Sequence, residues 1–386
     1  MEPFIWTLPP HREPDLTIEY RRLYYVTTMV DSLTAILRTH EISYPVHKIL
    51  EDWLIDLANE PGTDDPVFRH RGPYPLLRQA FTNKIPQISS SLVDELMNTV
   101  TTAVSAFFTS ITPAASSSAT ASSSPALPLE PVFPLVRYDG EYLYLGSDLT
   151  WKFDFPASIY QRLLLAHHQI SPERGRERTA DLLKVFLRYQ SILPYGDQWA
   201  VPRSFYSALE EFGFTYEAFA SPFNSNFLQL AVNNGTPFSF GSVFLDTDQY
   251  FGSQGSFFAL SHPLPSLRLV VNAVFTPTLL HRTITKMEEL LSGGPVTIQF
   301  NGPGTLESYP ALRDSPFLRG SVVIPPRQMI YYFKDVPRVS KFPSLFVFLS
   351  SDPAFSAGDA TALGEIFLGL TSATPLPSSL GQSIVI

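Results

Sequence analysis

Three short polar runs hold the residue types that could do chemistry in this 386-residue chain. Ser221-Pro222-Phe223-Asn224 offers a hydroxyl and an amide. Asp246-Thr247-Asp248-Gln249-Tyr250-Phe251-Gly252-Ser253 offers two carboxylates, several hydroxyls and a glycine. Asn272-Ala273-Val274-Phe275 sets an amide close to an aromatic ring. Taken singly these are turn formers, because Asp and Ser beside Gly satisfy the backbone in tight turns. Other chemistries are absent from the sequence. With no cysteine there is no disulfide, thiolate zinc site, iron–sulfur ligation or Cys nucleophile. His167 and His168 are adjacent, so they point to different faces of a helix, and His40 and His47 stand apart, so no metal pattern arises. There is no Gly-x-Ser-x-Gly, no P-loop and no Gly-x-Gly-x-x-Gly.

The elements that must position these runs read as an α/β pattern. Phe214–Ala220 is strand-like and leads into Ser221, and Leu267–Val271 is strand-like and leads into Asn272. Val296–Phe300, Val322–Ile324 and Leu345–Leu349 are further short apolar strands. A helix is expected over Thr278–Leu291, stopped by Gly293-Gly294, and another over Arg203–Phe212, closed by Gly213. Strands alternating with helices predict an α/β domain, whose ligands sit at the carboxyl ends of the strands.

Upstream the pattern is helical. Leu23, Val26, Val30, Leu33 and Leu37 recur every three or four residues. Ser43-Tyr44-Pro45 opens a second helix with Val46, Ile49, Trp53 and Leu57, and Ile88, Leu92, Leu96, Val100, Val104 and Phe107 form a third stripe. These predict a helical domain over 1–112. The Ala/Ser-rich stretch from Pro113 to Pro131 predicts a low-complexity linker over 113–132. Asp139-Gly140 between two short apolar runs predicts a hairpin, which with helices near 157–168 and 178–190 makes an α+β segment over 133–200. The α/β domain then occupies 201–370, with a tail over 371–386.

A chain that is 44% hydrophobic and 16% charged can bury large cores, and its many Pro and Phe suit a loop-rich fold with aromatic cores or binding surfaces. A net charge of −9 excludes a polybasic nucleic-acid binder but leaves room for a local basic groove. No apolar run approaches the ~20 residues of a membrane helix. The N-terminus lacks the basic-then-apolar order of a secretory peptide. Neither membrane nor metal is an expected partner.

The joint order of the three runs is more specific than any one of them. The chain resembles the phosphorylated CTD-interacting factor family, the cap-specific mRNA adenosine-N6 methyltransferases. The family's Ala-Ser-Pro-Leu-Asn stands here as Ala220-Ser221-Pro222-Phe223-Asn224, and its Asp-Thr-Asp-Gly-Tyr-Phe-Gly-Ser as Asp246 to Ser253. Its Asn-Pro-Pro-Phe, counted back from Glu289-Leu290-Leu291, falls on Asn272-Ala273-Val274-Phe275. Val201–Phe205 and Phe212-Gly213-Phe214 are similar to the family's approach to the first motif, and Phe348–Phe355 to its closing strand and turn. The resemblance covers roughly 135 to 356. It implies a Rossmann-like methyltransferase domain that uses S-adenosyl-L-methionine, here preceded by the helical domain and the small β-containing segment. It also implies methylation of the 2′-O-methyladenosine next to the mRNA cap, and residence in the nucleus. The chain departs from the family in lacking the paired tryptophans of a WW module, since Trp6, Trp53, Trp151 and Trp199 are too far apart. Recruitment to the phosphorylated polymerase tail is therefore not expected.

Residue roles follow from that resemblance. The adenine amino lone pair is delocalised into the ring and is a poor nucleophile. An Asn272 oxygen and the Ala273 carbonyl would accept its two N–H bonds and favour a pyramidal nitrogen facing the methyl sulfonium. Phe275 would stack on the extruded base. For the cofactor the candidates are Ser221, Pro222, Asn224, Phe251, Gly252 and Ser253, with Asp248 as a carboxylate for a ribose or for the methionine amine. Ala273-Val274 in place of Pro-Pro removes fixed φ angles and leaves two outcomes open, retained catalysis or a catalytically inactive RNA-binding pseudo-methyltransferase. Capped mRNA needs cations. Arg162, Arg174, Arg176, Arg178, Lys184 and Arg188 form one basic run, and Arg319, Arg327, Lys334, Arg338 and Lys341 another. Either could line a phosphate channel, and the first could equally be a solvated helix face. Tyr331-Tyr332-Phe333 beside Lys334 could stack a base or the cap guanine.

Overall fold

The computed structural model describes residues 14–60, 65–69, 72, 74–112, 136–138, 142–145, 151–154, 157–193, 199–234, 239–261, 267–333 and 336–373. The expected linker at 113–132, the Asp139-Gly140 turn and Lys334 lie outside them. Helices α1 (Leu16–Thr39), α2 (His47–Ala58), α3 (Pro75–Lys84) and α4 (Ser90–Ile111) come first. Strands β1 (Val136–Tyr138), β2 (Tyr142–Leu145) and β3 (Trp151–Asp154) follow, then helices α5 (Ala157–Ile170) and α6 (Arg178–Gln190). Next are β4 (Trp199–Ala200), α7 (Arg203–Glu211), β5 (Tyr216–Glu217), α8 (Asn226–Asn234), β6 (Ser239–Phe240) and α9 (Leu245–Asp248). The chain continues through β7 (Leu267–Val271), α10 (Pro277–Gly293), β8 (Val296–Pro303), α11 (Pro310–Arg313) and β9 (Leu318–Ile324). It ends with β10 (Ile330–Phe333), β11 (Val336–Val339), β12 (Ser344–Ser350) and α12 (Ala357–Ala373).

These elements divide into two compact units, and the chain passes between them more than once. The first takes the described residues up to Ala157 together with Arg176 onward through α6. The second takes Ser158–Gly175 and the described residues from Trp199 on. Residues 133–200, one segment in the sequence reading, are therefore shared between the two.

In the first unit each predicted stripe is a buried helix face. On α1 it is Leu23, Val26, Met29, Leu33 and Leu37, so Met29 takes the inward place expected of Val30. Asp15 caps α1 by accepting from the Thr17 amide, and Ser89 caps α4 through the Leu92 amide. Helix α3, opened by Pro75, was not legible in the sequence. Strands β1, β2 and β3 form an antiparallel sheet in that order. Helix α6 packs on α1 and sends Arg188 inward to Glu19, with Nη2 2.5 Å from Oε1 and Nε 2.8 Å from Oε2. Arg22 bonds the same Glu19 and forks onto Asp65 at 3.1 and 2.7 Å. Burial alone would raise the Asp65 carboxyl. The Arg22 charge and hydrogen bonds, with the Phe68 and Val67 amides, outweigh it and hold the group below the ordinary carboxylate range.

The second unit is a mixed α/β fold around a six-stranded sheet of order β6-β5-β7-β8-β12-β9. The first four strands are parallel, and β12 runs antiparallel to both β8 and β9. Its central strands are buried on both faces, as parallel sheets require. Along β12, Phe346 and Phe348 enter one core with Phe205, Phe214, Val270 and Phe367, whereas Leu345, Val347 and Leu349 enter the other with Leu269, Met287 and Ile298. Strand β5 is two residues long. From β5 the chain moves outward to β6 and returns to β7 on the other side of β5. The strand order thus reverses between β5 and β7, and α/β sheets take their ligands at the carboxyl ends of strands that flank such a reversal.

Candidate functional site

Each polar run follows one of the parallel strands at its carboxyl end. Ser221–Asn224 follows β5, the Asp246–Ser253 run follows β6, and Asn272–Phe275 follows β7. Backbone bonds tie the exits together. Ala218 N donates to Val270 O at 2.8 Å and Ala220 N to Gly241 O at 2.9 Å, and Phe240 bridges Ser253.

The first run is a closed turn. The Asn224 Oδ1 accepts from the Ser221 amide at 2.7 Å and lies 3.0 Å from its hydroxyl, while Asn224 Nδ2 reaches Trp199 O at 3.4 Å. Pro222 is buried in it. Arg162 on α5 donates to the Phe223 carbonyl and to Gln229 Oε1 at 2.8 Å. Behind the turn lies Glu217, which no motif signalled. Its carboxylate accepts from Tyr206 at 2.5 Å, from Ser225 Oγ at 2.9 Å and from the Asn226 amide at 3.0 Å, and so caps α8. Burial pushes it up to about 7, against the hydrogen bonds that pull it down. A folded value above the unfolded one of 4.5 means this group stabilises fully below about 4.5 and loses that contribution as pH rises through about 7. Unfolding midpoints measured from pH 4.5 to 7.5 should thus fall with pH more steeply in the wild type than in Glu217→Gln. Parallel profiles would refute this.

The second run is mostly interior. Asp248 is fully buried and accepts from the Thr247 hydroxyl at 2.8 Å. Phe251 is fully buried against His167, ring centroids 5.4 Å apart at an interplanar angle of 64°. Both side chains are interior in this arrangement, as the Ser221 and Ser253 side chains are. Gly252 has φ +98°, and a Cβ there would lie 2.8 Å from Ile170 Cδ1. Turn geometry and a neighbouring side chain explain that glycine, where the sequence suggested close ligand approach. Ser253 Oγ lies 2.7 Å from Ser242 Oγ and accepts from the Gly255 amide at 3.1 Å.

The third run is the most open. Asn272 is half-buried and its Oδ1 accepts from Asn301 Nδ2 at 2.9 Å. Ala273 is buried, and the half-buried Phe275 packs edge-on to Phe342, centroids 6.0 Å apart. Thr276 then caps α10 through the Leu279 amide. Phe342 is 6.4 Å from Tyr331, and Tyr331 is 6.4 Å from Trp199. The half-buried Phe275 and Phe342 rings thus pair next to the Asn272 strand end, and the half-buried Trp199 ring meets Tyr331. Trp199 and Phe342 were not legible as site residues, since each is far in sequence from every motif. Tyr331 itself is buried, with its hydroxyl on Ser344 and Asn301, so it is not the stacking platform that its Tyr-Tyr-Phe run suggested.

Three cations of the first basic run are interior. Arg162, Lys184 and Arg188 are buried, on Phe223 and Gln229, Asp181 and Glu19 respectively, and are unavailable to phosphate. Arg174 lies over the Tyr250 ring at 4.1 Å. Arg176 and Arg178 belong to the other unit, the former exposed and the latter half-buried. Arg327 is exposed, Arg338 half-buried on β11, and the Arg327 amide bonds Ser340 at the end of that strand. Among the described residues no group of three or more acidic or His side chains could hold a metal, and no helix is long and apolar enough to cross a membrane.

A family model described as the phosphorylated CTD interacting factor 1 WW domain matches residues 158–334. Over that stretch the chain is similar to the family. The matched stretch holds all three motifs, both elements that flank the switch point, and Trp199 as its one tryptophan. It also includes Asn301 and Tyr331, which stand behind Asn272.

Proposed function

We propose that this protein transfers a methyl group from S-adenosyl-L-methionine to the exocyclic nitrogen of an adenosine, the 2′-O-methyladenosine beside an mRNA cap, on a Rossmann-like methyltransferase fold. One observation carries the reading. The three polar runs that resemble the family's motifs follow β5, β6 and β7, at the strand ends where an α/β sheet with an order reversal takes its ligands. The cofactor would be held along the Ser221–Asn224 turn and by the Ser253 hydroxyl. The Asn272 oxygen, one lone pair on Asn301, keeps a second acceptor site for an amino N–H. With the Ala273 carbonyl it would draw both protons of the amine into hydrogen bonds and turn the nitrogen lone pair out of conjugation. Phe275, with Phe342 packed against it, supplies the apolar face an extruded base needs. The amine proton leaves to solvent after transfer. This reading carries capped mRNA as substrate and the nucleus as compartment.

Ala273-Val274 where the family has Pro-Pro favours a second reading, an RNA-binding protein on the same fold without turnover. Methyl transfer from labelled cofactor to capped 2′-O-methyladenosine RNA separates the two. Transfer is expected in the wild type, with a loss of roughly 100–1,000-fold in Asn272→Ala. RNA affinity with no transfer, and indifference to Asn272→Ala, would establish the second.

A further inference from the structure

We infer that Asn301 is a positioning residue that fixes the Asn272 amide for methyl transfer, and that Tyr331 fixes Asn301 in turn. The inference rests on the proposed function. Phe300 on β8 pairs with Val271, the last residue of β7, so the next residues, Asn301 and Asn272, stand side by side where β7 ends and β8 continues. Asn301 is fully buried and faces Phe346 across β12. A buried amide is costly there unless both its ends are bonded, and an aliphatic side chain would fill the position with no such demand. Its Nδ2 donates to Asn272 Oδ1 at 2.9 Å. Its Oδ1 lies 3.5 Å from the Tyr331 hydroxyl, which is 3.0 Å from Ser344 Oγ. The relay thus joins β12, β10, β8 and the end of β7.

The consequence is polarity. An asparagine side chain has an acceptor end and a donor end of nearly equal shape, so only its partners decide which end faces which way. The N–H of Asn301 requires the Asn272 oxygen. Rotating Asn272 by half a turn would set N–H against N–H. The acceptor is therefore oriented before any substrate arrives, and reorganisation on reaching the transition state is avoided. Where Ala273-Val274 leaves the backbone without the fixed φ of proline, this side-chain anchor supplies orientation from the neighbouring strand.

The test uses the full chain and the transfer assay above, with folding followed by circular dichroism. Asn301→Leu removes the donor, and kcat should fall about 10–100-fold while KM for the cofactor stays within about twofold. Tyr331→Phe should lower kcat in the same direction by a smaller factor. Asn301→Asp supplies a conditional donor. The neutral acid can give its O–H to Asn272, the carboxylate cannot, so kcat should fall with rising pH along a limb the wild type lacks. A residue that only packs would not create that limb, and this variant decides the matter if Asn301→Leu fails to fold. A folded Asn301→Leu with kcat within about twofold of wild type, or an Asn301→Asp profile parallel to wild type, overturns the inference and leaves the proposed function standing. A wild type that neither binds cofactor nor transfers methyl removes the function and this inference together.

Discussion

Glu19→Leu is expected to destabilise the helical unit by roughly 3–5 kcal/mol, the range for removing one partner from a buried ion pair. Glu19 is 1% exposed and shared by two guanidiniums, Arg22 on its own helix and Arg188 on α6. Arg22 is also committed to Asp65, whose Oδ1 accepts from the Val67 and Phe68 amides at 2.9 Å. The four groups balance two positive charges with two negative ones. Without Glu19 the cluster keeps a net positive charge in a medium that solvates it poorly, and Arg22 still stands over Phe107 at 5.7 Å. Hydrogen exchange on the full chain, read at the α1 and α4 amides against urea, is the suitable probe, because two units need not unfold together. Pairing the change with Arg188→Leu should restore part of the loss, since an apolar pair avoids desolvating either charge. Protection of α1 unchanged within about 0.5 kcal/mol in Glu19→Leu would mean the cluster does not hold these helices.

The same cluster explains where sequence reasoning went astray. Periodicity located α1, α2, α4 and α6 well, because apolar side chains every three or four residues can only be a buried face. It could not say which charged residues of α6 also face inward. Arg188 and Lys184 look the same in sequence as Arg176, yet the first two are interior and the third is exposed. What identifies them is an acidic partner, and for Arg188 that partner is Glu19, remote in sequence. Helix α12 escaped for a different reason. It meets β9 through small residues, with Ala360 3.0 Å from where a Gly320 Cβ would stand and Gly364 against Val322. Its core-facing stripe of Leu363, Phe367 and Leu370 is interrupted by Gly364 and Gly369, both poor helix formers. The motifs themselves were legible as strand ends, and β7 was bounded correctly. Their ligand-facing side chains were not, because Phe251 and Asp248 turn inward and the groups that orient Asn272 come from β8 and β10.

Gly241→Ala should cost about 3 kcal/mol, the upper part of the range for overpacking, and should weaken cofactor binding more than about tenfold. Gly241 ends β6 at the point where two motif segments meet. Its amide donates to Glu217 O at 2.7 Å, its carbonyl accepts from Ala220, and the next amide, Ser242, donates to Gly255 O at 3.0 Å. A Cβ at 241 would stand 2.8 Å from Ala218 O and 2.9 Å from Gly255 O, and against the Tyr216 hydroxyl. A side chain such as Tyr216 can shift. The two carbonyl oxygens cannot move without parting the β5 exit from the segment that carries Ser253, which is the separation the proposed cofactor site depends on. Gly294→Ala is the control, because no atom lies within 4 Å of its added methyl. That variant should stay within about 0.5 kcal/mol of wild type. Thermal unfolding of both variants, with calorimetric titration of S-adenosyl-L-methionine, compares them directly. If the two alanine variants unfold at the same temperature, the backbone at 241 has room to yield, and the strand ends are not held together through this residue. If Gly241→Ala is destabilised yet binds cofactor as the wild type does, the cofactor is held elsewhere than between the β5 and β6 exits.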